Sequence, residues 1–126
     1  MTNYLNQEKI QADEAGILVV DSNRTMVSIN RNFLDLWSLS KNLVVLRDDK
    51  MMLKSVCEQF EYPKTFFKEV QEIYSQYNLE IHDTITLKDG RIFERHSQPQ
   101  RLEGEYVGRL WIVCCITNSI IKSQCL

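Results

Sequence analysis

The apolar positions of this chain repeat with two different periods, and the switches between them divide it into blocks. Gly16 to Asp21, GILVVD, is a short run rich in β-formers; Ser22, Asn23 and Arg24 then supply turn chemistry before the strand pattern resumes over Met26 to Ile29. Together these predict a β-hairpin. From Asn30 the period lengthens to 3.6. Asn30 is placed to cap a helix whose Phe33, Leu36 and Trp37 share one face. Asp48 or Asp49 suits the start of a second helix presenting Leu53, Val56, Cys57 and Phe60, and Pro63 suits the first turn of a third. That third helix is the most sharply patterned, with Phe66, Val70, Ile73, Tyr74 and Tyr77 on one side and Lys64, Lys68, Glu69 and Glu72 mostly on the other.

The period then drops to 2. Ile81, Ile85 and Leu87 alternate with His82, Thr84 and Thr86. Asp89-Gly90 predicts a tight hairpin, since both residues tolerate positive φ, and Glu103-Gly104 marks the next turn. Two strands, a block of helices and three hairpin-linked strands make an α+β fold with one five-stranded antiparallel sheet. The closing stretch GRLWIVCCIT, Gly108 to Thr117, is apolar at nearly every position, which predicts a strand covered on both sides. Gly108, Leu110, Ile112, Cys114 and Ile116 take one face, and Val107, Trp111, Val113 and Cys115 the other. Alternation alone leaves open which face meets the helices. Residues 3–15 are polar with scattered Leu5, Ile10, Ala12 and Ala15, the pattern of a partner-dependent helix.

Composition narrows the function classes. At 126 residues, with no linker or repeat, one domain is expected. The net charge of −2 arises from nearly balanced acids and bases, so the field that draws a protein to phosphate backbones is missing and nucleic acid is not an expected partner. No apolar run approaches the roughly 20 residues that span a bilayer, and the N-terminus lacks a signal-peptide core. A cytoplasmic protein is expected. The cysteines at 57, 114, 115 and 125 have neither CxxC spacing nor a disulfide framework, which fits reduced thiols.

This order of elements resembles the PAS domain, a sensory box of bacterial-type signal-transduction proteins. GILVVDSNRTMVSINRNFLDLW is similar to its opening strand, turn, strand and Asn-started helix, and KDGRIFERHSQPQRLEGEYVGRLWIVCCIT to its closing three strands. The likeness spans residues 16–117, leaving 1–15 as an N-terminal helical cap and 118–126 as the start of a connector, with Ile120, Ile121 and Cys125, to a possible output domain. There are two departures. Many members close on Asp-Ile-Thr where this chain has Cys115-Ile116-Thr117, and Ser38 stands where many have glycine. The resemblance implies a sheet in the order 2-1-5-4-3 with helices on one face, and Asn30, Gly90, Cys115, Ile116 and Thr117 as its signature positions. By function it implies a non-enzymatic sensory and dimerisation module that regulates a histidine kinase or a diguanylate cyclase downstream.

Family chemistries can be checked against the residues. The flavin members' reactive cysteine sits in an NCRFLQ-type motif, absent here, and Cys57 has no such context; the helix from Phe66 to Tyr77 carries no histidine for haem. The two histidines and four cysteines have no paired spacing that would converge on a metal. No cofactor, metal or catalytic residue is therefore expected. Trp37, Phe67 and Trp111 are the aromatics that would line a small pocket if they are not simply core, and Arg95 and His96 are the polar groups placed to meet an anionic ligand. Leu5, Ile10, Trp111 and Val113 are the expected contacts of a homodimer. Two rival classes remain: a small-molecule receptor acting through its pocket, and a thiol enzyme built on Cys114 or Cys115 with His96 across a hairpin.

Overall fold

The computed structural model describes residues 14–116. The expectations for Leu5, Ile10, Thr117 and the two terminal segments lie outside those residues. Strands β1 (Gly16–Asp21) and β2 (Met26–Ile29) form the opening hairpin. Four helices follow, α1 (Arg31–Leu36), α2 (Lys41–Val45), α3 (Asp49–Cys57) and α4 (Pro63–Ser75). Then come β3 (Ile81–Thr86), β4 (Ile92–Leu102) and β5 (Glu105–Cys115). The sheet is antiparallel throughout, in the order β2-β1-β5-β4-β3, so the final strand is central, with β1 on one flank and β4 on the other.

The predicted caps are in place. Asp48, rather than Asp49, caps α3 by accepting from the Met51 amide, and Pro63 opens α4. One short helix, α2, has no counterpart in the sequence pattern. It is capped by Ser40 and buries none of its residues, so it has no apolar stripe to betray it. Tyr77, expected on the inner face of α4, lies beyond the end of that helix and is exposed. At the β3–β4 turn only Gly90 takes positive φ (94°), while Asp89 accepts from the Arg91 amide instead. The β4–β5 turn does use both residues, Glu103 at 51° and Gly104 at 84°, the conformation a two-residue hairpin requires. Ser38, at the position where the resemblance leads one to expect glycine, has φ 53°. The left-handed geometry is kept without the residue that adopts it most readily.

Asn30 does more than cap a helix. Its Oδ1 accepts from the amides of Phe33 (3.0 Å) and Ile17 (2.9 Å), and its Nδ2 donates to the carbonyl of Ala15 (2.9 Å). One side chain thus ties the start of α1 to the backbone of β1. Asn30→Ala is expected to cost about 2 kcal/mol, the upper end of a cap loss, because it also orphans the sheet-side groups. Asn30→Asp, which keeps the acceptor of both amide bonds and loses only the donor, should cost less; urea midpoints of the two variants check the ranking.

The core fills the space between the helices and one face of the sheet. Leu18 and Val20 of β1, Phe93 of β4, and Trp111 and Val113 of β5 meet Phe33, Met52, Val56, Phe66, Val70 and Ile73 from the helices. This resolves the face that alternation left open: Trp111, Val113 and Cys115 point toward the helices, and Leu110, Ile112 and Cys114 toward the other side. A correction follows for the expected dimer contacts. Trp111 and Val113, 8% and 3% exposed, are core residues and unavailable to a second subunit. At Gly108 the sheet leaves no room for a side chain, since a Cβ there would lie 2.0 Å from the Val20 carbonyl oxygen.

Candidate functional site

Between the helices and the sheet lies a cavity of about 810 Å³. Leu18, Val20, Ile85, Trp111 and Val113 form its sheet side, Met52, Leu53 and Val56 of α3 one wall, and Phe66 and Val70 of α4 another. Charged side chains border it through Arg24, Arg47, Asp48, Asp49 and Lys50. Arg24 is held by a hydrogen bond to Gln71 Oε1 and lies over the Tyr74 ring at 4.7 Å. The volume falls within the range of small-molecule sites, and the lining has their composition, mostly apolar with a few polar groups.

Four of the five residues expected at a pocket line it: Trp37, Phe67, Arg95 and Trp111. Phe67 is 45% exposed, whereas Trp37 packs deep, edge-on to Phe93 at 4.8 Å and tilted against Phe60 at 6.0 Å. His96 does not belong to the cavity. It neighbours Arg95 on a pleated strand and so faces the opposite side of the sheet, where its ring stacks on His82 at 5.5 Å. Cys115 ends β5 against the core, so the signature position that departs from the family's aspartate is occupied by a packing residue.

Arg95 is the polar centre of the site. Its Nε donates to Asp83 Oδ1 (2.9 Å), and its Nη2 donates both to Asp83 Oδ2 (2.7 Å) and to Glu69 Oε1 (2.9 Å). Burial works against the charge, but hydrogen bonds to Asp83 and Glu69 outweigh it and hold the guanidinium above its ordinary value. Sequence reasoning finds Arg95 and misses both carboxylates. Asp83 is not within reach of the hairpin signal: counting back from a two-residue Asp89-Gly90 turn sets it opposite His96, and the three-residue loop 88–90, closed by the Leu87 amide donating to the Arg91 carbonyl, shifts the register by one so that it faces Arg95. Nor is Glu69, since only the docking of α4 brings it there.

Two further groups carry no such signal. Trp111 donates its indole N–H to Tyr74 Oη at 2.9 Å, and burial pushes the Tyr74 phenol up to about 12, so it stays protonated at any physiological pH. Cys57 and Cys114 show no activation. Burial, reinforced by the charge of Glu58, raises the Cys57 thiol, and burial, reinforced by Glu94, raises Cys114. Both shifts run opposite to the depressed pKa of a thiolate nucleophile. Among the described residues no group of three or more His, Cys, Asp or Glu side chains is arranged to hold a metal ion, and no helix is long and apolar enough to cross a membrane.

No protein-family model matches the chain, and no curated protein matches it. Solved structures do. The PAS domain of BvgS from Bordetella pertussis superposes with a TM-score of 0.67 at 14% identity, covering 98% of this chain and 93% of that one. A domain of a Haloarcula marismortui protein described as a light and redox sensing histidine kinase gives 0.62 at 12% identity, covering 90% and 98%. The light-state dimer of the fungal blue-light photoreceptor Vivid gives 0.53 at 17% identity, covering 80% and 77%. At these identities the likeness is one of fold, and the fold is that of a PAS domain.

Proposed function

We propose that this chain is a PAS-type sensory module, non-enzymatic and cytoplasmic, that regulates an output domain in a longer signalling chain. A histidine kinase is the favoured output class, because structural neighbours come from such proteins; a diguanylate cyclase has no comparable support. The observation that carries the reading is that β5 is both the cavity's central strand, through Trp111 and Val113, and the last strand before residues 117–126. Occupancy of the cavity therefore bears directly on the strand that leads out of the domain. A ligand acts on such an element only through different affinity for its two arrangements.

The module works as a homodimer in this reading. Ile17 and Val19 of β1 and Leu110, Ile112 and Cys114 of β5 form a half-buried apolar strip on the sheet face away from the helices, the kind of surface that a second subunit covers. The Vivid neighbour is itself a dimer. Sedimentation of the full chain over a concentration series is expected to show a monomer–dimer equilibrium, and Ile112→Lys to shift it to monomer while the circular dichroism spectrum is retained. A monomer at every concentration sinks the dimer part. The receptor reading, in which pocket occupancy alone carries the function, is favoured if a small molecule copurifies with a chain that stays monomeric.

A further inference from the structure

We propose that the inner part of the cavity selects an uncharged hydrogen-bond acceptor, such as an amide or ring carbonyl on a flat apolar molecule, through N–H groups of Trp37 and Arg95. The inference rests on reading the cavity as a ligand site and adds the chemistry of what it takes. Both residues line the cavity and both are 3% exposed. Each holds a buried donor, Trp37 Nε1 and Arg95 Nη1, with no partner among the described residues. Buried donors are nearly always paired, and an orphan calls for an explanation. The cavity's other tryptophan makes the contrast, since the Trp111 indole is already bonded to Tyr74. A third orphan, Arg109 Nε, belongs to a residue that does not line the cavity.

Charge decides the polarity of the ligand. The Arg95 cation is matched by two carboxylates, Asp83 and Glu69, so the cluster carries a net charge of −1. An incoming carboxylate would find no net positive charge at this cluster, and Asp83 and Glu69, 43% and 49% exposed, would repel it through partly screening solvent. What Arg95 has left to offer is direction, the two N–H bonds of Nη1, and not charge. This corrects the sequence-based expectation that Arg95 and His96 greet an anion: Arg95 is neutralised, and His96 is on the other face. The surroundings fit a flat body. Phe66 lies beneath the Arg95 guanidinium at 5.9 Å and stacks on Phe60 at 3.8 Å, and Met52 and Val56 supply aliphatic wall.

Three probes of one shape separate the possibilities: 2-naphthamide, 2-naphthoate and 2-ethylnaphthalene, titrated into the 15N-labelled full chain. The sequence has two tryptophans, so two indole N–H signals are expected, and Trp37→Phe assigns them. The expected result is that naphthamide binds about tenfold tighter than either other probe, the effect of one buried hydrogen bond. It should move the Trp37 indole proton downfield and that of Trp111 little, and Trp37→Phe should reduce its advantage over the hydrocarbon. Glu69→Gln combined with Asp83→Asn should raise the affinity for naphthoate relative to that for naphthamide. Tighter binding of naphthoate by the unmodified chain overturns the proposal. So does equal binding of all three with the Trp37 signal unmoved, although the cavity would then still be a ligand site. If none binds, both the selectivity and the ligand reading fail.

Discussion

Arg109→Ala is expected to destabilise the domain by about 3–5 kcal/mol, as much as emptying a large core position. Arg109 is fully buried on central strand β5, with no carboxylate partner among the described residues. Its Nη1 donates to Ser97 Oγ at 3.0 Å, and its Nη2 donates to the carbonyls of Gln76 (3.2 Å) and Leu79 (2.9 Å). Those carbonyls belong to the segment that leaves the C-terminal end of α4 and turns into β3. A cation there is favoured by the helix dipole as well as by the bonds themselves. Alanine removes three charge-assisted bonds, strands the buried Ser97 hydroxyl and two part-buried carbonyls, and leaves a void the length of the side chain. Arg109→Met fills most of the void and removes the desolvated charge, so it should cost clearly less, as replacements of buried ions by apolar groups often do. Urea denaturation with an unchanged slope measures both. Amide exchange at Gln76–Glu80 should rise in either variant, and an alanine variant within about 1 kcal/mol of the parent would show that the connector holds without Arg109.

Arg109 also shows where sequence reasoning runs out. By parity it shares the face of Trp111 and Val113, so the alternation itself places a guanidinium in the core, a position a charge rarely takes unless paired. Its partners are mainly backbone carbonyls in a loop, and no side-chain pattern announces those. The elements themselves are legible for ordinary reasons. β1 and β5 are near-continuous runs of apolar β-formers, β3 alternates with a period of 2, turn residues bound the hairpins, and α4 has a wide apolar stripe with proline at its first position. Strand order does not follow from spacing. It comes from the resemblance, because periodicity says which residues share a face and nothing about which strands are neighbours, so it could not have placed β5 between β1 and β4. The pocket is half legible. Trp37, Phe67, Arg95 and Trp111 follow from residue type and element, whereas the exclusion of His96 follows from strand parity once Arg95 is known to face the helices. The Glu69–Arg95 bond and the Trp37 indole left without a partner among the described residues exist only in the packed molecule.

Trp37→Ala is the second large effect, at about 3–5 kcal/mol. The residue closes α1, its backbone amide donating to the Phe33 carbonyl at 3.2 Å and its carbonyl accepting from Gln59 Nε2 at 2.7 Å. Its ring is in contact with three others, Phe33, Phe60 and Phe93, which come from α1, the segment after α3, and β4. Truncation therefore loosens the junction of helices and sheet at the wall of the cavity, and aromatic contacts are lost together with buried area. A melting temperature lower by more than about 10 °C is the expected reading for a domain of this size. Trp37→Phe separates packing from hydrogen bonding. It retains an aromatic ring and deletes an indole N–H that has no partner among the described residues, so it should recover much of the loss, since removing an unsatisfied donor offsets part of the smaller ring's cost. If alanine melts like the parent, Trp37 leaves the core; if phenylalanine melts as low as alanine, the indole nitrogen is satisfied by something in solution, and ligand or ordered water in the cavity becomes its partner.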